Sequence, residues 1–359
     1  MGASMKKKLF TVICCLLAMT LLISSLSCKS SNETFTWRMA TSWTADNIFY
    51  TQAAEVICKR VKELSGGRLV IEAYPAGEIA GAMEVFDAVS DGTVEMGHSW
   101  CGYWTDKEDS FELFSSIPMQ MTSQEWLVWL YGPSDGMALW QELYGKYNVI
   151  PLPGGLNGAE FGFFTTTPVS TPEDFAGLTL RVTGLAADVL EELGATTLTT
   201  APDEILTALQ NGEIDGFEFG TPAVDWPMGF QEIVSYVSLP CWHQPSAMFE
   251  TIINEDAWNE LPADLQAILE AACKEISMID YLAYTEGSNA EALDNFIDSG
   301  IQINVLDETA TNTIAEITNR LADAKAEKDS FYAEVLQSQR DFMATYRTWE
   351  QWESYSLYN

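Results

Sequence analysis

Two stretches of this chain repeat one pattern, and that repeat limits the fold more than any other feature. Ala88-Val-Ser-Asp-Gly-Thr-Val-Glu-Met-Gly-His98 aligns without a gap over Ala208-Leu-Gln-Asn-Gly-Glu-Ile-Asp-Gly-Phe-Glu218. The alanines and Gly92 and Gly212 coincide, Val94 sits over Ile214, and Glu95 over Asp215. Each copy reads as the end of a helix, a glycine stop and a short strand. Upstream of the first copy, Phe35–Met39 and Arg68–Tyr74 read as strands, with helices over Gln52–Leu64 and Ile79–Val89; Thr93–Gly97 is the third strand. Upstream of the second, Leu178–Thr183 and Thr197–Thr199 read as strands. Helices follow over Ala186–Leu193 and from Pro202 to Gly212, where Pro202 opens the helix and Asp203 and Glu204 suit its dipole; Ile214–Phe219 is the closing strand. A doubled β-α-β-α-β order predicts an α/β chain with two lobes, each a mostly parallel sheet covered by helices. Ligands of open α/β sheets bind beyond the carboxyl ends of the strands. His98 and Glu218 fall at those ends, one per lobe, so a cleft between the lobes is expected.

A chain of 359 residues exceeds what one core usually supports, in keeping with two lobes. After Asn254 helix dominates: Ala263–Ala283 and Glu308–Tyr346 are periodic, and the tail carries Tyr346, Trp349, Trp352 and Tyr355. That last segment is expected to brace the lobes or pack on a second subunit. The net charge of −34 argues against nucleic acid and anionic lipid as partners and is read as solubility. Lys6, Lys7 and Lys8, an apolar run from Leu9 to Leu26 and Ser24-Ser25-Leu26-Ser27-Cys28 form an export signal of lipoprotein type. Cleavage before Cys28 would leave that thiol for lipid and Lys29–Thr34 as a tether. Cys58, Cys101, Cys241 and Cys273 follow no zinc spacing and are read as buried thiols, with pairing left open.

Arg181 is the sole Lys or Arg between Lys146 and Lys274. It lies in Leu178-Thr-Leu-Arg-Val-Thr183, where Thr179, Arg181 and Thr183 share one face and the apolar residues the other. A buried guanidinium needs an anionic partner. That partner is either a ligand carboxylate held by the planar fork or a carboxylate of the protein itself.

Gly177-Leu-Thr-Leu-Arg-Val182 resembles the arginine strand of the solute-binding subunits of tripartite ATP-independent periplasmic (TRAP) transporters. The resemblance extends over Trp37-Arg-Met-Ala-Thr-Ser-Trp43, Gly66-Gly-Arg-Leu69, Ala76-Gly-Glu78, Phe86-Asp-Ala-Val-Ser-Asp-Gly92 and Glu95-Met-Gly-His98. It continues at Ala208-Leu-Gln-Asn-Gly-Glu-Ile-Asp215, Pro240-Cys-Trp-His243 and Asn254-Glu-Asp-Ala-Trp258. It implies a two-lobed periplasmic-binding-protein fold with the ligand cleft between the lobes and a long C-terminal helical segment. Residues 35–158 plus about 243–285 would form lobe I, 159–242 plus about 286–307 lobe II, and 308–359 the C-terminal helices, after a signal over 1–27 and a tether over 28–34. It implies no enzyme but an exported, lipid-anchored protein that delivers a small organic acid to a TRAP permease, with a homodimer formed through the C-terminal helix. In that family the matching arginine pairs with the substrate carboxylate.

The branch it most resembles binds 2-oxo acids or lactate beside a metal ion. The matching positions are Glu160, in Asn157-Gly-Ala-Glu-Phe-Gly162, and Glu218-Phe219. Glu160 stands where Gln is usual and Phe219 where Trp is usual; a backbone carbonyl at 219 survives that change. Two carboxylates favour Ca2+ over Na+. The alternative for Glu160 is pairing with Arg181 or water. Trp43, Tyr103, Trp104, Trp242 and His243 are candidates to complete the pocket with Asn157, against plain core packing, and His98 is expected to brace the cleft wall. The rival classes are an exported hydrolase using Glu160 and Glu218 as acid and base, and an adhesive lipoprotein. Two histidines and the absence of a Gly-x-Ser-x-Gly elbow weigh against the first.

Overall fold

The computed structural model describes residues 33–358, with side chains as far as 352. The signal segment and Cys28 lie outside the described residues. The chain divides into Met1–Phe35 and a compact body, Thr36–Asn359.

Two sheets organise the body. The first contains β1 (Phe35–Thr41), β2 (Leu69–Tyr74), β3 (Met96–Ser99), β4 (Val149–Leu156) and β10 (Met248–Asn254), in the order β2-β1-β3-β10-β4. The second contains β5 (Phe164–Thr165), β6 (Thr179–Arg181), β7 (Thr196–Leu198), β8 (Gly216–Phe217), β9 (Tyr236–Leu239) and β11 (Gln302–Val305), in the order β11-β9-β5-β8-β6-β7. The doubled pattern is a doubled topology. In each half the first strand of the repeat lies in the middle: β1 between β2 and β3, β6 between β7 and β8. β1 and β3 run parallel, with Met39 opposite Met96, and β6 runs parallel to both its neighbours. The aligned glycines serve one purpose. Gly92 and Gly212 both follow helices, Val85–Ser90 and Ile205–Asn211, with φ of 77° and 71°. That left-handed conformation suits glycine and ends a helix.

Several elements differ from their sequence outlines. The helix expected over Ile79–Val89 begins only at Val85. Gly77 takes φ 89° and its N–H donates to the Ala80 carbonyl, so a turn replaces the first half. The strand expected over Thr93–Gly97 is shifted to Met96–Ser99, and that over Ile214–Phe219 shrinks to two residues. The helix expected from Gln52 starts at Phe49 as a π-helical segment, Phe49–Ala54, before Glu55–Leu64. A second such segment, Ile276–Tyr281, joins Ala263–Glu275 to Leu282–Asp298, so that helix continues past Ala283. The periodic run Glu308–Tyr346 is two helices, Glu308–Ala326 and Ser330–Tyr358. Asp329 separates them: its Oδ1 accepts from the N–H groups of Phe331 and Tyr332, capping the last helix.

The chain passes between the sheets three times. The loop from β4 to β5, the loop from β9 to β10, and Leu282–Asp298 before β11 are the passages. The C-terminal helices brace both halves. Lys325 Nζ donates to Glu112 at 2.9 and 3.0 Å, and it pairs at 3.1 Å with Asp188, on the helix Leu185–Glu192 that comes after β6. Tyr332 also donates to Glu112, at 2.7 Å, and Arg347 pairs with Glu125 at 2.6 Å.

Between Phe249 and Glu250 the β10–β4 register shifts, leaving Gly154 of β4 as the extra residue of a bulge, and Phe249 beside it lines the inter-sheet space. A Cβ on Gly154 opposite would come within 2.5 Å of the Glu250 backbone. Glu250 is fully buried and accepts from Trp104 Nε1 at 2.7 Å and from the Tyr144 hydroxyl. Burial pushes its carboxyl up to about 7, against those two donors.

Unfolding measurements can test both buried charges. Lys325→Met leaves Glu112 without its cation and is expected to cost about 3 kcal/mol in urea unfolding; adding Glu112→Gln should recover much of it. Glu250 holds its proton in the folded state after the unfolded chain has lost it. Its contribution is therefore favourable below the ordinary carboxylate value and is lost as pH rises towards 7. Glu250→Gln should thus stabilise the protein by about 2 kcal/mol at pH 8 and by little at pH 4, as read by thermal unfolding at the two pH values.

Candidate functional site

Where the strand ends of the two repeats meet, the body holds a small, nearly filled cavity of about 10 Å³. The first sheet's half supplies aromatic rings: Trp43 just beyond β1, Phe49, Trp100 and Tyr103 beyond β3, and Phe249 at the bulge. The other wall carries the charge: Arg181 at the end of β6, Glu218 and Phe219 just beyond β8, with Glu160 and Gln244 on the two inter-sheet loops. Strand ends open towards this space because the backbone there is no longer paired and loops can present side chains.

Arg181 is 2% exposed and Glu218 3%. Nη1 of Arg181 donates to Glu218 Oε1 at 2.7 Å and to the Glu218 carbonyl at 2.9 Å, and Nε donates to the Thr200 carbonyl at 3.2 Å. The protein itself thus supplies a carboxylate for Arg181, and the residue is Glu218, not Glu160. The guanidinium nonetheless remains a wall of the cavity. Burial pushes the Glu218 carboxyl up, but Arg181 and His243 outweigh it and hold it below the usual range. Tyr103 stands near the guanidinium; burial raises its hydroxyl to about 12, with Arg181 opposing.

Glu160 belongs to a second network. Its Oε1 accepts from Asn157 Nδ2 at 3.2 Å, and Asn157 Oδ1 in turn accepts from the Tyr281 hydroxyl at 3.0 Å. The Gln244 amide, turned to the orientation that satisfies both its ends, donates to Glu160 Oε2 at 2.6 Å. His243 lies between the two acids, its Nε2 3.5 Å from Glu160 and 3.6 Å from Glu218. Burial works against charge on His243, but Cys241 and the two carboxylates raise it well above its usual value. The Cys241 thiol is itself pushed up by burial and donates to the Gln244 carbonyl at 2.7 Å, so the carboxylates supply the negative charge. Burial likewise raises Glu160, with His243 opposing. Asp225 is buried with neither oxygen hydrogen-bonded, and burial pushes it far up.

The remaining expected residues lie outside the lining. His98 is buried and pushed down to about 4 by desolvation. It accepts from Trp43 Nε1 at 2.7 Å and its Nε2 faces the Gly154 carbonyl at 2.8 Å, tying β3 and β4 to a wall residue. Trp104 turns to Glu250 and Phe86 in the core. Trp242 stacks on Phe163 in a separate apolar cluster with Leu180 and Val182. Both indoles are buried, each against large apolar neighbours. Phe49, Trp100, Gln244 and Phe249 are lining residues that the sequence reading missed. Gln244 directly follows His243, the one signal that pointed near it. Cys58, Cys101, Cys241 and Cys273 are free and buried.

Cation fit can be judged from the donors. Glu160, Cys241 and His243 offer ligand atoms within 4.8 Å of one another, but Cys241 and His243 stand behind the wall. Buried His243 Nε2, 3.5 Å from Glu160 and 3.6 Å from Glu218, makes no hydrogen bond to either. The donors that line the cavity are carboxylate and amide oxygens, which suit a hard cation.

Comparison with known proteins agrees with this geometry. Residues 39–329 match the family described as bacterial extracellular solute-binding protein, family 7, DctP. A monocarboxylate 2-oxoacid-binding periplasmic protein of Nostoc sp. is 30% identical over 90% of this chain and 88% of its own. A TRAP periplasmic solute-binding protein of Pseudoalteromonas atlantica, solved with sodium and pyruvate, superimposes with a TM-score of 0.85 at 32% identity, over 90% of this chain and 98% of that one. One from Colwellia psychrerythraea, solved with calcium and pyruvate, gives 0.86 at 30% identity, again over 90% and 98%. These likenesses set aside the hydrolase and adhesin readings: the chain belongs to the DctP family, the solute-binding proteins of TRAP transporters, which capture solutes rather than transform them.

Proposed function

We propose that this protein captures a small monocarboxylate, a 2-oxo or 2-hydroxy acid such as pyruvate or lactate, together with a cation, for a TRAP permease. The observation that carries the reading is Arg181, the one Lys or Arg among the cavity's lining residues, at a strand end in a closed space bounded by both sheets. The space between the walls is about 10 Å³, room for about one water, so the halves would part to admit an acid and the tight fit favours a compact one. Glu218 holds the guanidinium by Nη1, fixing the plane of the fork before a ligand arrives. The aromatic wall shields that pair, where a low dielectric strengthens its attraction for an anion.

Charge explains the need for a cation. Arg181 is offset by Glu218, and His243 faces Glu160 and Glu218. An incoming carboxylate would add an uncompensated negative charge to a buried site, which is costly. A cation held by Glu160, Glu218 and the Phe219 carbonyl would supply the missing positive charge and a second point of selection for the oxo or hydroxy group. Asn157, fixed by Tyr281, holds Glu160 in place for that role. With a carboxylate rather than an amide at 160, calcium is favoured over sodium.

Closure and delivery complete the reading. Lobe I (35–158 plus about 243–285) and lobe II (159–242 plus about 286–307) would close about the inter-sheet loops that carry Glu160 and Gln244. Export and lipidation at Cys28 would keep the protein at the outer face of a membrane. Two copies would meet along the last helix, where Trp349 and Trp352 are 59% and 70% exposed.

Calorimetry tests the core of this. Arg181→Ala should weaken pyruvate and lactate binding about hundredfold, near 3 kcal/mol. Retained affinity in a folded variant refutes the assignment, and Arg181→Ala with Glu218→Gln controls for the orphaned acid. Calcium should tighten pyruvate binding to the wild type more than sodium does. Glu160→Gln should remove the calcium advantage; a wild type indifferent to calcium ends the calcium reading.

A further inference from the structure

Two rings, one from each half, meet at one side of the cavity. Phe49, from the first sheet's half, meets Phe219, from the second, with ring centroids 5.9 Å apart and planes tilted 53°. Both rings line the cavity. Ile48, next to Phe49, and Thr44, together with Leu206, Val224 and Met228, line a separate cleft of about 410 Å³. Val224 packs on Gly220, the residue after Phe219; a Cβ there would meet Val224 Cγ1 at 2.9 Å. A second cleft, of about 340 Å³, shares Tyr103 with the cavity, but Asp87, Asp106 and Lys107 make it polar. Of these two clefts, the one beside Ile48 and Val224 has the more apolar lining.

We infer that the Phe49–Phe219 contact sets the length of side chain the bound acid can carry, and that the cleft behind it is a latent subsite for an alkyl tail. The inference rests on the 2-oxo acid reading and adds the residues that limit chain length. Phe49 is firmly placed. The rings of Phe249, Trp43 and Tyr281 lie tilted against it, with centroids 4.2, 4.6 and 6.2 Å away. Phe49 opens one π-helical segment and Tyr281 closes the other, a geometry that recurs at functional sites. A fixed ring gives a sharp size limit, because a dense interior yields little. Asp46 and Asp203 also line the cleft beyond. Their charges oppose a second carboxylate, so the subsite suits an alkyl monoacid and not a diacid.

The test titrates pyruvate and 2-oxooctanoate into wild type, Phe49→Leu and Phe219→Leu by calorimetry with calcium present. Thermal unfolding verifies that each variant is folded. In each variant the Kd of 2-oxooctanoate relative to that of pyruvate should fall about tenfold or more, the scale of a misfit in an apolar pocket. If Phe49→Leu does not fold, Phe219→Leu decides alone. An unchanged ratio in the folded variants overturns the inference. A wild type that already binds the long acid as tightly as pyruvate overturns it while leaving the functional reading intact. A wild type that binds neither acid overturns both.

Discussion

The ion pair between Arg181 and Glu218 is the constraint around which the rest is arranged. Neither group tolerates burial alone, so two strand ends, β6 and β8, must lie side by side for either to exist. Leu180 and Arg181 lie opposite Gly216 and Phe217 in that pairing. A Cβ at Gly216 would come within 2.5 Å of the Phe164 carbonyl oxygen, so the central strands approach closely only because that position is bare. The site's electrostatics and the sheet's packing are therefore one arrangement, seen from the cavity and from the core.

The two halves bring unlike chemistry to a shared topology. β1 with its neighbours delivers rings, while β6 with its neighbours delivers charge. His98 and Glu218 occupy the same place in the aligned repeat. One is a neutral imidazole bonded to Trp43 and facing Gly154; the other is an ionised acid facing the space between. The fold supplies equivalent strand ends, and local residues decide which becomes scaffold and which becomes contact surface.

Much of the site was legible in the residues, for identifiable reasons. Arg181 stood out because charge is rare along its stretch of chain, and Glu218 because the repeat carried it to a strand end. The rest depended on geometry that no local pattern encodes. Phe249 reaches the cavity opposite a bulge in β4, Phe49 from a π-helical turn, and Gln244 from a passage between sheets. Trp104 and Trp242 have the composition of pocket residues, but their indoles lie against Phe86 and Phe163. Local signals also competed. Apolar spacing favoured a helix from Ile79, and the left-handed Gly77 prevailed; spacing favoured one long terminal helix, and the Asp329 cap divided it.

Glu160 and Gln244 sit on the two loops that carry the chain from one sheet to the other, and they bond to each other there. On the proposed closure, grip and flexure would share the same short peptides. A change that tightened this bond to hold cargo longer would then also stiffen the joint that has to bend to let it go. Affinity and turnover would thereby be tied to one set of residues.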